Sequence, residues 1–491
     1  PSMSSALMIG VSGLRGVIGT SLTPEVAARF AGVFGGWLVN AAAGQPVRVV
    51  LGRDGRVGNA VIYHAATAGL LAAGVEVVDL GISMTPTTAV MVDEMSRRPA
   101  GDGTPALVAG MELTASHNPQ QWNGLKCFLA TTPGLHGSAA CAPPAAIAQQ
   151  LVELFHAGKV GLATWAKLGS VARDESASVV HIERVVEALT ASGVHDDPDS
   201  LGRGLSVVLD SVNASGIEVG REGLERLGVQ ELLHIGCEET GLFPHTPEPV
   251  RENLDLLCEA VRESGAAVGF AQDPDGDRLA IIDERGQYIG EEYTLLLGAM
   301  AVLEGHKRLG HETKGQKLVT NLSTSRMLDD LAARYGATVT RTPVGEANVV
   351  SLMKMTESIV GGEGNGGTIW PRVTYVRDSL SSMALVLALL ENGRRPLSQI
   401  VAGLPAYAIV KRKVDLASKE AAKPSIDKLA KAYAAQRVDL QDGVRIDFDA
   451  QRAWLHVRAS NTEPIMRLIA EAPTAATAQS LLDDAAKIIA G

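Results

Sequence analysis

Three carboxylates alternate along Asp273-Pro-Asp-Gly-Asp-Arg278, at positions 273, 275 and 277. With Gly276 allowing a sharp turn, that spacing converges oxygen ligands on one hard divalent cation. Mg²⁺ fits ahead of Ca²⁺, because three ligands leave room for a phosphate oxygen. Glu284 falls where an EF-hand needs its twelfth residue, but Arg278 stands where that loop needs glycine, and Leu279 to Ile282 reads as a strand. The competing reading is an acidic turn with no ligand, since turns favour Asp and Gly for their own reasons.

Ser116 sits in Thr114-Ala-Ser-His-Asn-Pro119. A serine followed by turn formers can cap a helix or close a turn. No Gly-x-Ser-x-Gly elbow surrounds it, which argues against a hydrolase triad with His117. The chemical alternative is a serine that carries a phosphoryl group whose charge a metal offsets.

Gly362, Gly364 and Gly367 match the dinucleotide fingerprint and follow a strand-like run. That fingerprint needs a helix opening directly after the glycines. Here Thr368-Ile-Trp-Pro371 follows, and the proline argues against such a helix. A flexible loop presenting Glu363 and Asn365 to hydroxyls fits better, beside a plain glycine turn. Arg458, Ser460, Asn461 and Thr462 bring a guanidinium, two hydroxyls and an amide within five positions, an anion cradle to which Arg467 adds. An ordinary Ser-Asn turn is the alternative there.

Three blocks of one layout position these loops. In the first, Val47 to Leu51 runs into the loop Gly52-Arg-Asp-Gly-Arg56, a helix over Val57 to Ala73, and strands at Val75 to Leu80 and Ala106 to Met111. The second has strands at Leu205 to Leu209, Leu232 to Ile235 and Ala267 to Phe270, with a helix near Gly216 to Leu227. The third has strands at Lys317 to Thr320, Ala337 to Thr340 and Ser358 to Val360, with a helix over Thr324 to Tyr335. Short apolar strands alternating with helical patterns predict βαβ units around mostly parallel sheets. One large α/β domain is the alternative. From about Pro405 the pattern changes: strands at Val444 to Phe448 and Ala453 to Val457 and a helix over Ala475 to Ile489 predict a smaller α+β tail. In each block the third strand runs into one of the unusual loops, where open α/β sheets bind ligands.

Composition narrows the class. The chain has 491 residues, enough for about three domains at roughly 150 residues each. Hydrophobic residues at 46% exclude a disordered chain, and a net charge of −11 argues against nucleic-acid binding through a broad basic surface. Cys127, Cys141, Cys237 and Cys258 form no CxxC pair, so neither zinc nor a disulfide framework is indicated. The apolar stretch Met383 to Leu390 stops at Glu391, too short for a bilayer, and residues 1–6 lack a signal-peptide pattern. The expectation is a cytoplasmic protein with reduced thiols.

With these loops in this order, the chain resembles the α-D-phosphohexomutase superfamily, which includes phosphoglucomutases, phosphomannomutases and phosphoglucosamine mutases. The resemblance spans nearly the whole chain. It rests on Ser12-Gly-Leu-Arg-Gly16, Thr114 to Pro119 with Asn123-Gly-Leu-Lys126, Asp273 to Arg278, Glu363 in its glycine loop, and Arg458 to Pro464. It implies four domains around a central cleft: three topologically similar α/β domains over residues 1–175, 176–290 and 291–404, and an α+β domain over 405–491. It implies phosphorylation on Ser116, with Mg²⁺ held by that phosphate and by Asp273, Asp275 and Asp277. It further implies a hexose 1,6-bisphosphate as intermediate and activator, with a small-molecule sugar phosphate as the partner and neither nucleic acid nor membrane. By similarity Arg15, Lys126 and Arg278 surround the reacting phosphoryl group, and Glu363 and Asn365 contact sugar hydroxyls. Arg458, Ser460, Asn461 and Thr462, with Arg467, grip the other phosphate. Lys126, His117 and a substrate hydroxyl relay are the candidates for proton transfer.

Two loops depart from the pattern of many bacterial relatives. Asn365 and Gly367 replace a serine and a histidine in the sugar loop, and Glu346 replaces a second histidine in Pro343-Val-Gly-Glu-Ala-Asn348. Both changes, with Trp122, resemble a subgroup assigned as phosphoglucosamine mutases, and an added carboxylate favours a sugar ammonium. Glucosamine phosphate is therefore the expected substrate, with glucose or mannose phosphate as the alternative. From other functional classes, a phosphosugar phosphatase and a non-catalytic sugar-phosphate sensor compete.

Overall fold

The computed structural model describes residues 7–10, 13–98, 103, 105–130, 139–416, 418–459 and 465–490. The chain divides into two compact units, Pro1–Glu312 with Asn365–Ile400, and Thr313–Gly364 with Val401–Gly491.

The first block contains β1 (Met8–Gly10), β2 (Gly13–Val17), α1 (Pro24–Ala41), β3 (Val47–Arg53), α2 (Asn59–Ala72), β4 (Glu76–Ile82), α3 (Thr85–Ser96), β5 (Leu107–Leu113), β6 (Trp122–Leu129), α4 (Ala145–His156) and β7 (Val171–Arg173). Thr23 opens α1 by accepting the Val26 N–H, and Pro24 occupies the first turn, where no amide is needed. Ala27, Phe30, Ala31, Phe34 and Leu38 form its buried stripe at helical spacing. The helices α1 and α2 pack so closely that a Cβ on Gly69 would meet the Ala28 carbonyl oxygen at 2.2 Å. The sheet runs β1-β2-β6-β5-β3-β4-β7, with β3 parallel to β4 and β5, and β6 antiparallel to β5. Strand β3 is buried over its first six residues, as a near-continuous apolar strand at the centre of a covered sheet must be.

A connecting helix, α5 (Ala177–Ala191), leads to β8 (Ser206–Asp210), α6 (Gly216–Arg226), β9 (Glu231–Ile235), α7 (Asp255–Ser264), β10 (Val268–Gln272) and β11 (Leu279–Asp283). Their order is β11-β10-β8-β9, with only β11 antiparallel. The third block comprises α8 (Glu292–Arg308), β12 (Lys317–Asn321), α9 (Met327–Tyr335), β13 (Thr338–Thr342), α10 (Glu346–Thr356), β14 (Val360–Glu363), β15 (Gly367–Ile369), α11 (Ser379–Gly393) and α12 (Leu397–Ala402). In the second unit β12 lies between β13 and β14, parallel to both. In the first unit α8 and α11 pack together, and the stretch Met383 to Leu390 is buried within α11. Among the described residues no helix is long and apolar enough to cross a membrane.

The repeated layout is thus a repeated topology. In every block the first strand of the repeat (β3, β8 and β12) sits between the next two in chain order of its repeat, and in the first two blocks a fourth (β6, β11) returns antiparallel beside the third. Each block also inserts a helix absent from the sequence reading (α3, α7 and α10) between its second and third strands. A crossover between parallel strands requires one. In α3, ten of twelve residues are buried, so no apolar–polar alternation marks it. Helix α9 starts at Met327 rather than Thr324, because Asn321 and Ser325 side chains turn the chain first, accepting the Ser323 and Met327 N–H groups.

The tail holds β16 (Ala408–Asp415), α13 (Ala422–Ala432), β17 (Arg437–Asp439), β18 (Val444–Phe448), β19 (Ala453–Ala459), β20 (Ile465–Ala472) and α14 (Ala475–Ala490). Its sheet is antiparallel throughout, in the order β16-β20-β19-β18-β17. Leu429, Ile446, Leu455, Leu468 and Leu482 are among its core residues. Four domains result, three of related α/β topology and one α+β.

Candidate active site

The loop after β5 carries Ser116 and the loop after β10 carries the three aspartates, so equivalent hairpins of the first two blocks supply both. Ser116 is buried and adopts φ +52°, a left-handed conformation that is uncommon outside glycine. Its hydroxyl donates to Asp273 Oδ2 at 3.0 Å, and His117 Nδ1 lies 3.3 Å from Ser116 Oγ. Burial, then Arg278 and Arg15, push the His117 imidazolium down to about 3, so the ring is neutral at physiological pH.

Around the aspartates the loop turns at Gly276, φ +65°, whose N–H donates to the Asp273 carbonyl at 2.9 Å. Asp273 Oδ1 accepts the N–H groups of Asp277 and Arg278 at 3.1 and 3.0 Å. Asp275 Oδ2 accepts the Thr85 hydroxyl at 2.7 Å and a Lys126 ammonium hydrogen bond. Asp277 Oδ2 takes Lys126 Nζ at 3.1 Å and Arg377 Nη2 at 2.8 Å. Burial and the charges of Asp275 and Asp277 raise Asp273 well above the usual carboxylate range. Burial opposes ionisation of Asp275 too, but Lys126 and Thr85 overcome it and hold Asp275 low.

One ligand oxygen from each aspartate lies within 4.8 Å of the others. Asp275 Oδ1 and Asp277 Oδ1 are buried without a hydrogen-bond donor. Buried carboxylate oxygens left unsatisfied are costly, and a divalent cation would satisfy both. The residues therefore fit Mg²⁺. Glu284 plays no part in this loop, since its carboxylate accepts the Ser398 N–H and hydroxyl.

The same site has orphaned donors. Arg15 on β2 binds Asn118 Oδ1 at 3.2 Å through Nη1, while its Nε is buried without an acceptor. Arg278 Nε is buried without an acceptor as well. Arg278 Nε faces Asp277 Oδ1 at 3.9 Å, an ion pair too long for a hydrogen bond. Guanidinium donors and carboxylate acceptors here thus lack hydrogen-bond partners, which suits an anion and a cation together, as a phosphoryl group and its metal require. Lys126 is protonated: burial alone would lower its pKa, but Asp275 and Asp277 raise it.

The remaining sequence candidates divide between the units. Asn365 belongs to the first, where its Oδ1 accepts from Arg377 Nη1 at 3.2 Å. In the second, Glu363 ends β14 rather than lying on a flexible loop; it is buried, and its Oε1 accepts from Asn321 Nδ2 at 2.7 Å and Gly345 N–H at 3.2 Å. The strand pairs with β12 as far as Gly361, and the Gly362 carbonyl then accepts the Thr320 hydroxyl at 2.8 Å. Glu346 opens α10 immediately after Gly345, which places both carboxylates beside one loop. Arg458 on β19 lies opposite Arg467 on β20 and forms an ion pair with Asp442 at 3.3 Å. Ser460, Asn461 and Thr462 lie outside the described residues, as does Ser12.

Thr85 and Arg377 are functional candidates that the sequence reading missed. Both come from segments remote in sequence from the loops they support, so no local motif marks them. The charge pair Arg377-Asp378 at the start of a long apolar helix is the only local signal.

Comparison with known proteins agrees with the geometry. Models of phosphoglucomutase/phosphomannomutase α/β/α domains I, II and III match residues 6–138, 183–286 and 292–407, and the C-terminal domain model matches 410–488. A protein of Methanopyrus kandleri named probable phosphoglucosamine mutase is 32% identical over 484 residues, covering 98% of this chain and 97% of its own. A phosphoglucomutase/phosphomannomutase of Thermococcus kodakarensis is 33% identical over 488 residues, covering 98% of each. The crystal structure of a phosphoglucomutase/phosphomannomutase family protein from Burkholderia thailandensis matches with a TM-score of 0.80 at 28% identity, covering 98% of both chains. Four domain models in sequence and relatives spanning the full length leave one assignment: the chain belongs to the α-D-phosphohexomutase superfamily, whose enzymes are of the mutase type.

Proposed function

We propose that this chain interconverts hexose 1-phosphate and hexose 6-phosphate through a phosphoserine at Ser116, with glucosamine phosphate as the preferred sugar. The observation that carries the reading is the Ser116 hydroxyl at 3.0 Å from Asp273, among buried Asp oxygens and Arg nitrogens that have no hydrogen-bond partners. In the forward half-reaction a sugar hydroxyl oxygen attacks phosphorus, the bond from phosphorus to Ser116 Oγ breaks, and the sugar hydroxyl loses its proton. The bisphosphorylated sugar turns around and Ser116 Oγ, protonated as it departed, attacks its other phosphorus; the bond from that phosphorus to the sugar oxygen breaks, and the serine proton passes to the freed sugar oxygen. Neutral His117, 3.3 Å from Oγ, stands within reach of that proton.

Arg15, Arg278 and Lys126 supply positive charge for the transferring group, and Arg458 with Arg467, Ser460, Asn461 and Thr462 binds the phosphate that stays. Glu363 and Asn365 contact sugar hydroxyls. Asp273, Asp275 and Asp277, with the Ser116 phosphate, would hold Mg²⁺, which when bound supplies charge neutralisation and polarises a phosphoryl oxygen. The glucosamine preference rests on Glu346 beside Glu363, and on several relatives named probable phosphoglucosamine mutase. A cytoplasmic setting agrees with four free cysteines, three of them buried.

The test is a panel of glucosamine, glucose and mannose 1-phosphates with Mg²⁺ and the matching 1,6-bisphosphate. Conversion to the 6-phosphate without release of inorganic phosphate is expected, fastest with glucosamine. Stoichiometric phosphate release would instead establish a phosphatase, and binding without turnover a sensor.

A further inference from the structure

Beneath Ser116 lies a buried polar assembly that none of the proposed catalytic roles uses. The Ser116 N–H donates to Thr114 Oγ1 at 2.8 Å, and the Ser116 carbonyl accepts from Arg56 Nη2 at 2.5 Å. Both side chains converge on one oxygen. Asp54 Oδ2 accepts the Thr114 hydroxyl at 2.6 Å and Arg56 Nε at 2.8 Å. Arg56 Nη1 extends the clamp to the Trp122 carbonyl at 2.8 Å and reaches the Asn118 carbonyl at 3.4 Å. Asp54 Oδ1 accepts from Asn59 Nδ2 at 2.7 Å, and Asn123 Nδ2 in turn donates to Asn59 Oδ1 at 2.6 Å. Asp54, Arg56, Thr114 and Ser116 are each no more than 2% exposed.

We infer that Thr114, Asp54 and Arg56 are positioning residues for phosphoryl transfer: they grip the peptide groups on both sides of Ser116 and hold it at positive φ, which aims Oγ at Asp273. The inference rests on the reading of Ser116 as the phosphoryl carrier. The physical argument is one of competing conformations. A non-glycine residue leaves the left-handed region unless its surroundings fix it, and relaxation to negative φ would swing the Cα–Cβ bond away from the aspartates. Hydrogen bonds to the N–H and the carbonyl of the same residue fix both flanking peptide planes. A guanidinium is suited to this, because its planar fork serves Asp54 and the loop carbonyls at once. Since transfer depends on alignment, loosening the clamp lowers the rate of the chemical step more than it weakens sugar binding.

The experiment compares Thr114→Val, Thr114→Ser and Arg56→Lys with the wild type, measuring kcat, KM, phosphate on Ser116 by intact mass, and thermal unfolding. Thr114→Val keeps the shape and removes the acceptor for the Ser116 N–H. Its kcat is expected to fall about 10- to 100-fold with KM within about threefold. Thr114→Ser restores the acceptor and retains most of kcat. Arg56→Lys keeps the charge without the fork, and its kcat falls as for Thr114→Val; should Thr114→Val not fold, this comparison decides. The inference is overturned if the folded variants isomerise at the wild-type kcat, whatever their melting temperature. A wild-type protein that takes no phosphate on Ser116 would instead overturn the underlying mutase reading.

Discussion

The hydroxyl of Ser116 and the carboxylate of Asp273, 157 positions apart, are joined by a 3.0 Å hydrogen bond. Each stands in the hairpin between the third and fourth strands of its own repeat (β5 and β6, β10 and β11), so a repeated topology brings a serine hydroxyl and an acidic loop to one place. The aspartates carry more acceptor oxygens than the surrounding donors satisfy, and the arginines carry donors without acceptors. A bound metal and phosphate would complete the charge and hydrogen bonding there.

Chelation should therefore abolish isomerisation, and Mg²⁺ should restore it. A ligand that binds only the folded state also raises the unfolding temperature by mass action. Mg²⁺ is expected to raise the melting temperature of the wild type and to do so much less for Asp275→Asn, which calorimetry can read without any assay of turnover.

Arg377 ties Asp277 of the metal loop to Asn365 of the sugar loop, and it is buried. Replacing it with methionine keeps the bulk but strips Asp277 of one of its three cationic partners, Lys126 and Arg278 being the others. Arg377→Met is expected to reduce kcat/KM by about 30-fold or more, in line with the cost of roughly 2–5 kcal/mol for truncating one member of a buried pair. Steady-state kinetics with varied Mg²⁺ and sugar phosphate checks this.

Alternating strands and helices, the loops that follow the third strands and the α+β tail were legible because apolar runs and turn residues mark them locally. Helix α3 was not, since burial on all sides erases its periodicity. Nor was the burial of Glu363, which follows from its bonds to Asn321 and Gly345 rather than from the glycines around it. Ser116, Lys126 and the aspartates could be named from sequence. The left-handed backbone at Ser116, and the partners Thr85, Arg56 and Arg377, depend on contacts between remote segments that no local pattern encodes.

The second unit should be acid-sensitive through His456. Its ring bridges the Ser323 hydroxyl at 2.8 Å and the Asp442 carbonyl at 2.7 Å. Burial, and further the Arg445 guanidinium, hold its pKa down at about 4. An unfolded histidine titrates near 6.5, so the unfolded chain takes the proton first. The contribution is complete above about pH 6.5 and is lost as pH falls toward 4, amounting to about 2 kcal/mol by pH 5. Urea unfolding at pH 7.5 and 5.0 should show this loss in the wild type and a smaller one in His456→Gln.

Substrate preference should respond to Glu346, which adjoins Gly345 and so shares a loop with the Glu363 carboxylate. A second carboxylate near the sugar favours an ammonium over a hydroxyl. Glu346→Gln is expected to lower kcat/KM for glucosamine 1-phosphate several-fold and to leave that for glucose 1-phosphate nearly unaffected. Equal loss for both sugars would remove Glu346 from the selectivity argument.

The central claim is that Ser116 carries a phosphoryl group, and intact-mass spectrometry after incubation with a hexose 1,6-bisphosphate and Mg²⁺ tests it most directly. The wild type should gain about 80 Da, the mass of one phosphoryl group, and Ser116→Ala should gain nothing and lose nearly all isomerase activity. A wild-type protein that turns over sugar phosphate without this adduct, or an equal adduct on Ser116→Ala, would contradict the account.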